Sequence, residues 1–181
     1  MAPHALYIIV SNPVDIMTYV FTKISGLPEN QIMGSGTILD TARLRYGLSE
    51  HFKVAQGNIH AYVFGEHGDT SFIPWTGAYI SGLSTDEYYE EMKAHGKDVK
   101  PLDKEAMLEY VQKSGGKVIA KKGATFYAVS ATVCQLVGLI LAASDSLATV
   151  SSMLHGEYGI EDVCLSTLCL LYTSPSPRDR S

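Results

Sequence analysis

Apolar and polar positions along the chain switch repeatedly between the strand period and the helix period. Ala5 to Val10 (ALYIIV) is a short, partly β-branched apolar run, the pattern of a strand buried on both faces. Asn12-Pro13 must end it, because proline has no amide to donate and biases the residue before it to extended geometry. Pro13 can then open a helix through Val14 to Val20, which Gly26-Leu27-Pro28 closes, and Gln31 to Gly34 makes a second brief strand. The opening segment therefore reads as the closing βαβ unit of a parallel sheet whose earlier strands are not in this chain.

Thr37 to Phe52 is the strongest helix pattern, with Leu44, Leu48 and Phe52 on one stripe. Asn58 to Phe64 alternates Ile59, Ala61 and Val63 with His60 and Tyr62, so it reads as a strand that ends in a loop, Gly65 to Asp69. Asp103 to Ala120 is a charged amphipathic helix with a kink expected at Gly115-Gly116, and an apolar helix follows from Thr125. Ala148 to Gly156 and Val163 to Ser166 are strand-like, and no internal repeat is visible. Phe126 to Ser144 carries no charge and reaches the length of a membrane span. Gln135 near its middle, Ser130, Thr132 and Gly138, and the lack of Lys/Arg anchors argue instead for a helix buried in a protein core. The last dozen residues turn Ser/Pro/Arg-rich, and the pattern reads as a non-native tail over residues 169–181.

Composition narrows the classes. With 181 residues, 46% hydrophobic and 18% charged, the chain is long enough for a sizeable core. A net charge of -5 without a basic stripe argues against nucleic acid and anionic membrane as partners. Three cysteines, Cys134, Cys164 and Cys169, show no CxxC and read as buried free thiols of a reducing compartment. Met1 to His4 lacks the positive start of a signal peptide, so the expected location is cytoplasmic.

Chemistry concentrates at a few positions. Asp40 and Arg43 are three apart on a helix and project together. Arg43 could grip a carboxylate through two parallel hydrogen bonds, and Asp40 could orient a histidine. His67 lies between Glu66 and Gly68 at a strand end, where a histidine titrating near neutrality can give a proton to a substrate oxygen. Asn12 stands at the carboxyl end of the first strand, where ligands bind in doubly wound folds. Each has a plain alternative: a surface ion pair, an inert loop histidine, a turn-forming asparagine. A metal reading of His60, Glu66, His67 and Asp69 matches no common zinc spacing, and no metal is expected. Gly34-Ser35-Gly36 lacks the third glycine of a dinucleotide loop, since Leu39 fills its place.

Together the stretches Ser11 to Asp15, Gly34 to Arg43 and Gly65 to Asp69 stand in the order and spacing of the lactate/malate dehydrogenase family, which the chain resembles from about Leu6 to Ser166. The resemblance implies an α/β and α+β fold. A remnant of the Rossmann NAD-binding sheet over residues 1–33 would be followed by an incomplete C-terminal substrate domain over 34–168. It implies NAD as cofactor and reversible hydride transfer between NADH and pyruvate, giving L-lactate, in fermentative glycolysis. Glu66 before His67, and Trp75, lean toward lactate over malate. His67 would be the proton donor, Asp40 its carboxylate partner and Arg43 the anchor of the substrate carboxylate. Asn12 and Thr125 would lie beside the substrate, with Ser11 and Asn12 near the nicotinamide. Arg45 and His60 match the fructose 1,6-bisphosphate effector site of allosteric bacterial members, which are homotetramers.

The family's glycine-rich phosphate loop, its ribose-binding acid and its mobile loop with a second arginine are not in this sequence, nor are its last strands and C-terminal helix. The parallel sheet should then expose apolar edges, and the chain alone is expected to be inactive. Three other readings have tests. A malate or other 2-hydroxyacid dehydrogenase would differ on the absent loop. A non-catalytic interaction module has no need of Asp40, Arg43 and His67 together. A metal hydrolase would need a bound divalent ion.

Overall fold

A computed structural model describes residues 2, 4–142 and 146–171. Strand β1 (Tyr7–Ile9) leads through helix α1 (Val14–Ser25) into β2 (Ile32–Gly34), and the two strands pair in parallel, Tyr7 with Ile32 and Ile9 with Gly34. This is the βαβ unit expected from the pattern. Gly26 closes α1 at φ 68, the left-handed conformation that a C-terminal glycine adopts without strain.

The sheet does not stay parallel. Strand β6 (Leu147–His155) joins β2 antiparallel through Gly34 and Ser151, and β7 (Glu161–Leu170) pairs with β6 along its whole length, giving the order β1-β2-β6-β7. The parallel β1-β2 pair and a later hairpin thus share one ladder, and the expected boundary at 33/34 falls inside β2. Strand β7 also continues past Ser166, with Cys169 opposite Ala148 and Leu170 opposite Leu147. The expected tail boundary at 169 therefore cuts a paired strand, and Leu171 is buried. The rest of that tail, 172–181, and the end of the uncharged stretch, 143–145, lie outside the described residues.

Helix α2 (Ile38–Phe52) fulfils its pattern: Leu44, Leu48 and Phe52 are fully buried. They pack with Ile59, Ala61, Val63, Ile80 and Val111 into the larger core, over a three-stranded sheet of β3 (Ile59–His60), β4 (Tyr79–Ile80) and β5 (Leu83–Ser84). The expected strand over 58–64 keeps its alternation but pairs as a strand only at its start. Beyond His60 its polar groups turn to α2: Val63 donates its amide to Thr41 Oγ1 at 3.0 Å, and its carbonyl accepts from Thr37 Oγ1 at 2.5 Å. Phe64 then bridges Phe72, and Gly65 bridges Ser166 of β7. Helix α3 (Thr85–Ala94), which the pattern did not declare, starts on a capping box of Ser84 and Glu87. Helix α4 (Lys104–Lys122) is capped by Asp103 and runs without interruption through Gly115-Gly116, where a kink was expected.

Helix α5 (Tyr127–Leu141) corrects the expectation of all-round burial. Only the stripe Thr132, Leu136 and Ile140 is buried, packed toward Ala148 and Val150 of β6 and Leu171. Tyr127 and Leu141 are 79% and 78% exposed, because the described residues cover one face of this helix only. Among the described residues, no helix is long and apolar enough to cross a membrane. The cysteines are free as expected, yet only Cys164 is buried, while Cys134 on α5 is exposed and Cys169 is intermediate.

Candidate active site

The start of α2 is fixed on three sides. Gly36 takes φ +51 against β6 and β7, Thr37 binds Val63 through its side chain, and its amide donates to Ser166 Oγ at 3.1 Å. Thr41, one turn on, meets Thr149 of β6 with their hydroxyls 3.0 Å apart. These bonds set the rotation of α2, so Asp40 and Arg43 face away from the core cluster and toward the loop after Phe64.

Asp40 is 5% exposed and spends both carboxylate oxygens on partners. Oδ2 lies 2.5 Å from His67 Nδ1, and Oδ1 accepts from an Arg43 guanidinium nitrogen at 3.1 Å. The hydrogen bond to Asp40 is the chief reason that the His67 imidazolium is favoured and its pKa raised, with the charges of Asp40 and Asp15 adding and Arg43 and burial opposing. With Nδ1 committed to Asp40, Nε2 is the ring nitrogen left to exchange a proton with an occupant.

The loop that carries His67 is pinned at several points. Gly65 exchanges two backbone hydrogen bonds with Ser166, both 2.9 Å. The His67 amide donates to Asp15 Oδ2 at 2.8 Å, and Glu66 accepts from Thr70 at 2.6 Å. Gln112 on α4 donates to the carbonyls of Asp69 and Ser71 at 2.9 and 3.0 Å.

Asp40, Arg43 and His67 line a cavity of about 200 Å³ together with Asn12, Thr125 and Gln112. Apolar side chains of Val10, Ile38, Leu39, Ile119, Val129 and Val133 complete its walls. Such a space, part polar and part apolar, with the Arg43 cation, an imidazole that can carry a proton and several neutral polar side chains, suits a small anion with a polar oxygen beside a short apolar group. Five sequence-chosen positions therefore converge. Ser11 does not line the cavity and sits exposed in the turn beside Asn12. Arg45 and His60 are also elsewhere: Arg45 Nε donates to the Ala61 carbonyl at 3.1 Å and its guanidinium stacks over Tyr62 at 4.8 Å, while His60 is exposed on β3. Trp75 packs on the larger core rather than in the cavity.

The profile of the lactate/malate dehydrogenase α/β C-terminal domain matches residues 37–175, and that of the lactate/malate dehydrogenase NAD binding domain matches residues 1–34. The chain belongs to the lactate/malate dehydrogenase family. Among relatives, L-lactate dehydrogenase of Acetivibrio thermocellus is 47% identical over 161 residues, covering 89% of this chain and 50% of that protein. L-lactate dehydrogenase 1 of Clostridium acetobutylicum is 47% identical with the same coverage. A crystal structure of a lactate dehydrogenase enzyme from a Medee basin deep-sea metagenome library superposes with a TM-score of 0.86 at 32% identity, over 92% of this chain and 52% of that one. L-lactate dehydrogenase from Clostridium thermocellum superposes at 0.81 with 36% identity, over 97% and 59%. The chain thus spans about half the length of the curated relatives it matches.

Sequence reasoning missed three groups in this family member. Asp15 lay inside a quoted motif, but a carboxylate in the first turn of a helix is ordinary and gave no hint of His67. Gln112 carries no sequence signal at all. Ser166 ended a segment read as a strand, and its hydroxyl gave no hint that it would accept the Thr37 amide. Among the described residues, no group of three or more His, Cys, Asp and Glu side chains is arranged to hold a metal ion.

Proposed function

We propose that this chain supplies the proton donor and the carboxylate anchor of an NAD-dependent L-lactate dehydrogenase that interconverts pyruvate and L-lactate. The observation that carries the reading is Asp40 joined to both His67 and Arg43 at the wall of one small cavity. Arg43 gives one N–H to Asp40 and keeps the rest of its planar fork for the substrate carboxylate. His67, whose imidazolium form is favoured by its pairing with Asp40, donates its Nε2 proton to the ketone oxygen as that oxygen gains charge. Asn12 donates its amide to the same oxygen, and Thr125 closes the cavity beside the methyl group. In the reverse direction His67 takes the hydroxyl proton back.

Val10 and Asn12, at the carboxyl end of β1, offer an apolar surface and an amide that fit a nicotinamide ring, with Ser11 in the same turn. NADH, when bound there, supplies the hydride that the ketone carbon receives. Residues 1–33 would then belong to the cofactor domain and 34–168 to the substrate domain. Arg45 and His60 would receive a phosphate of fructose 1,6-bisphosphate, a role supported by the exposure of His60 and by the positive charge of the half-buried Arg45, whose Nε is held by the Ala61 carbonyl. The reading includes a cytoplasmic homotetramer working in glycolysis.

Calorimetric titration of the chain with pyruvate, NADH present, tests the site. Saturable binding that weakens by about 1.5–3 kcal/mol in Arg43→Lys, roughly ten- to a hundredfold, is expected from loss of the planar fork. No binding, or an unchanged affinity in Arg43→Lys, overturns the reading. Tighter binding of oxaloacetate than of pyruvate would move it from lactate to malate.

A further inference from the structure

Asp15 is a buried carboxylate for which the reaction described above has no use. It is 7% exposed in the first turn of α1, Oδ2 accepts the His67 backbone N–H at 2.8 Å, and Oδ1 is buried without any hydrogen bond. A buried carboxylate with one partner is costly, since its desolvation is offset only when its lone pairs are filled. An asparagine would accept the same N–H without that cost. What asparagine would lack is the charge, and the charge lies next to the imidazole that is to carry a proton.

The ionisable groups around His67 come from four elements. Asp40 and Arg43 face it from α2, Asp15 from α1, and Glu66 and Asp69 share its loop. Glu66 is occupied by Thr70. Cys164 of β7 is neutral at ordinary pH, its thiol pushed up to about 12 by burial first and by Asp15 next. Of these groups, only Asp15 holds the His67 backbone rather than its ring. It also follows Asn12 in the turn that opens α1, so its bond ties the loop of the proton donor to the turn beside the substrate oxygen.

We propose that Asp15 is a positioning residue: its buried carboxylate fixes the His67 amide to the first turn of α1 and presents a second negative charge to the imidazole. This role rests on His67 being the proton donor. It leaves two separable signatures, one in loop geometry and one in the protonation of the ring.

The test is the pH titration of the His67 ring by NMR in the full 181-residue chain, with Asp15→Asn and Asp15→Ala beside the wild type. Asp15→Asn keeps an acceptor and removes the charge. His67 should titrate at lower pH than in the wild type while its backbone amide resonance stays near its place. Asp15→Ala should move both the titration and the amide resonance. A purely structural role would leave the Asp15→Asn titration superimposed on the wild type, and that result overturns the proposal. If Asp15→Ala does not fold, Asp15→Asn still decides. Failure of the wild type to bind pyruvate would sink the dehydrogenase reading but leave this titration result standing, so the two failures are distinguishable.

Discussion

Gly36→Ala should be among the most damaging single-methyl changes in the chain, and the geometry gives its size. An added Cβ would lie 2.4 Å from Ser166 Oγ, 2.6 Å from the Ser151 amide nitrogen and 3.0 Å from the Val150 carbonyl carbon. The serine hydroxyl can rotate, but the other two are backbone atoms of β6 and cannot yield without moving the strand. Overpacking of this kind costs about 1–3 kcal/mol. The φ of +51 adds about 1–2 kcal/mol for a left-handed alanine. The sum, about 2–5 kcal/mol, lowers the melting temperature by roughly 5–15 °C in a chain of this length. Urea and thermal denaturation followed by circular dichroism measure it, with Gly57→Ala as the control. Gly57 has no atom within 4 Å of its added Cβ and no positive φ, so its change should stay within about 0.5 kcal/mol. Since Gly36 sets the start of α2, the Asp40–His67 bond should lengthen as well, visible as loss of its downfield proton. Equal stability of Gly36→Ala and Gly57→Ala would refute the claim that close approach of α2 to β6 builds the site.

Other expectations follow from the same contacts. Asp40→Asn removes the main support of the His67 imidazolium. A histidine with a raised folded pKa stabilises the fold fully below the unfolded value near 6.5 and ceases to do so as pH rises through the folded value, so the stability gap between wild type and Asp40→Asn should be widest below about pH 6.5 and narrow in alkali. Urea titrations at several pH values measure this, and a gap that widens with pH would contradict it. Leu48→Ala, at a fully buried position of the larger core, should cost about 2–5 kcal/mol by urea unfolding. Gly116→Ala, in the middle of α4 with nothing within 4 Å of the added Cβ, should stabilise by about 0.5–1 kcal/mol. If Arg45 receives a phosphate of fructose 1,6-bisphosphate as proposed, Arg45→Gln should weaken binding of that sugar phosphate at least about tenfold in calorimetry while leaving pyruvate binding unchanged, and an unchanged affinity would refute that role.

Legibility in the sequence followed the strength of periodicity. Leu44, Leu48 and Phe52 declared α2 because its buried stripe repeats without a break. Tyr79-Ile80 and Leu83-Ser84 are strands of two residues, too short to carry a period of two, and they were silent. Helix α5 carries no charge and is apolar nearly all round, so its pattern could not say which face the rest of the chain covers. At the site, Asp40 and Arg43 were readable because helix spacing alone brings them together. Their meeting with His67 at the far end of an extended segment was implied by motif order, while the bond itself depends on Thr37 and Thr41 drawing that segment onto α2. Asp15, Gln112 and Ser166 act through backbone groups of distant residues, which no local pattern records.

The most direct test of the His67–Asp40–Arg43 site is the pH dependence of pyruvate affinity in the presence of NADH. If protonated His67 holds the ketone oxygen, affinity should be level below the raised pKa of His67 and fall about tenfold per pH unit above it, since one proton is taken up with the ligand. In Asp40→Asn the fall should begin at lower pH. An affinity that is flat across the neutral and alkaline range, or a profile that Asp40→Asn does not move, would contradict the assignment of His67 as the proton donor.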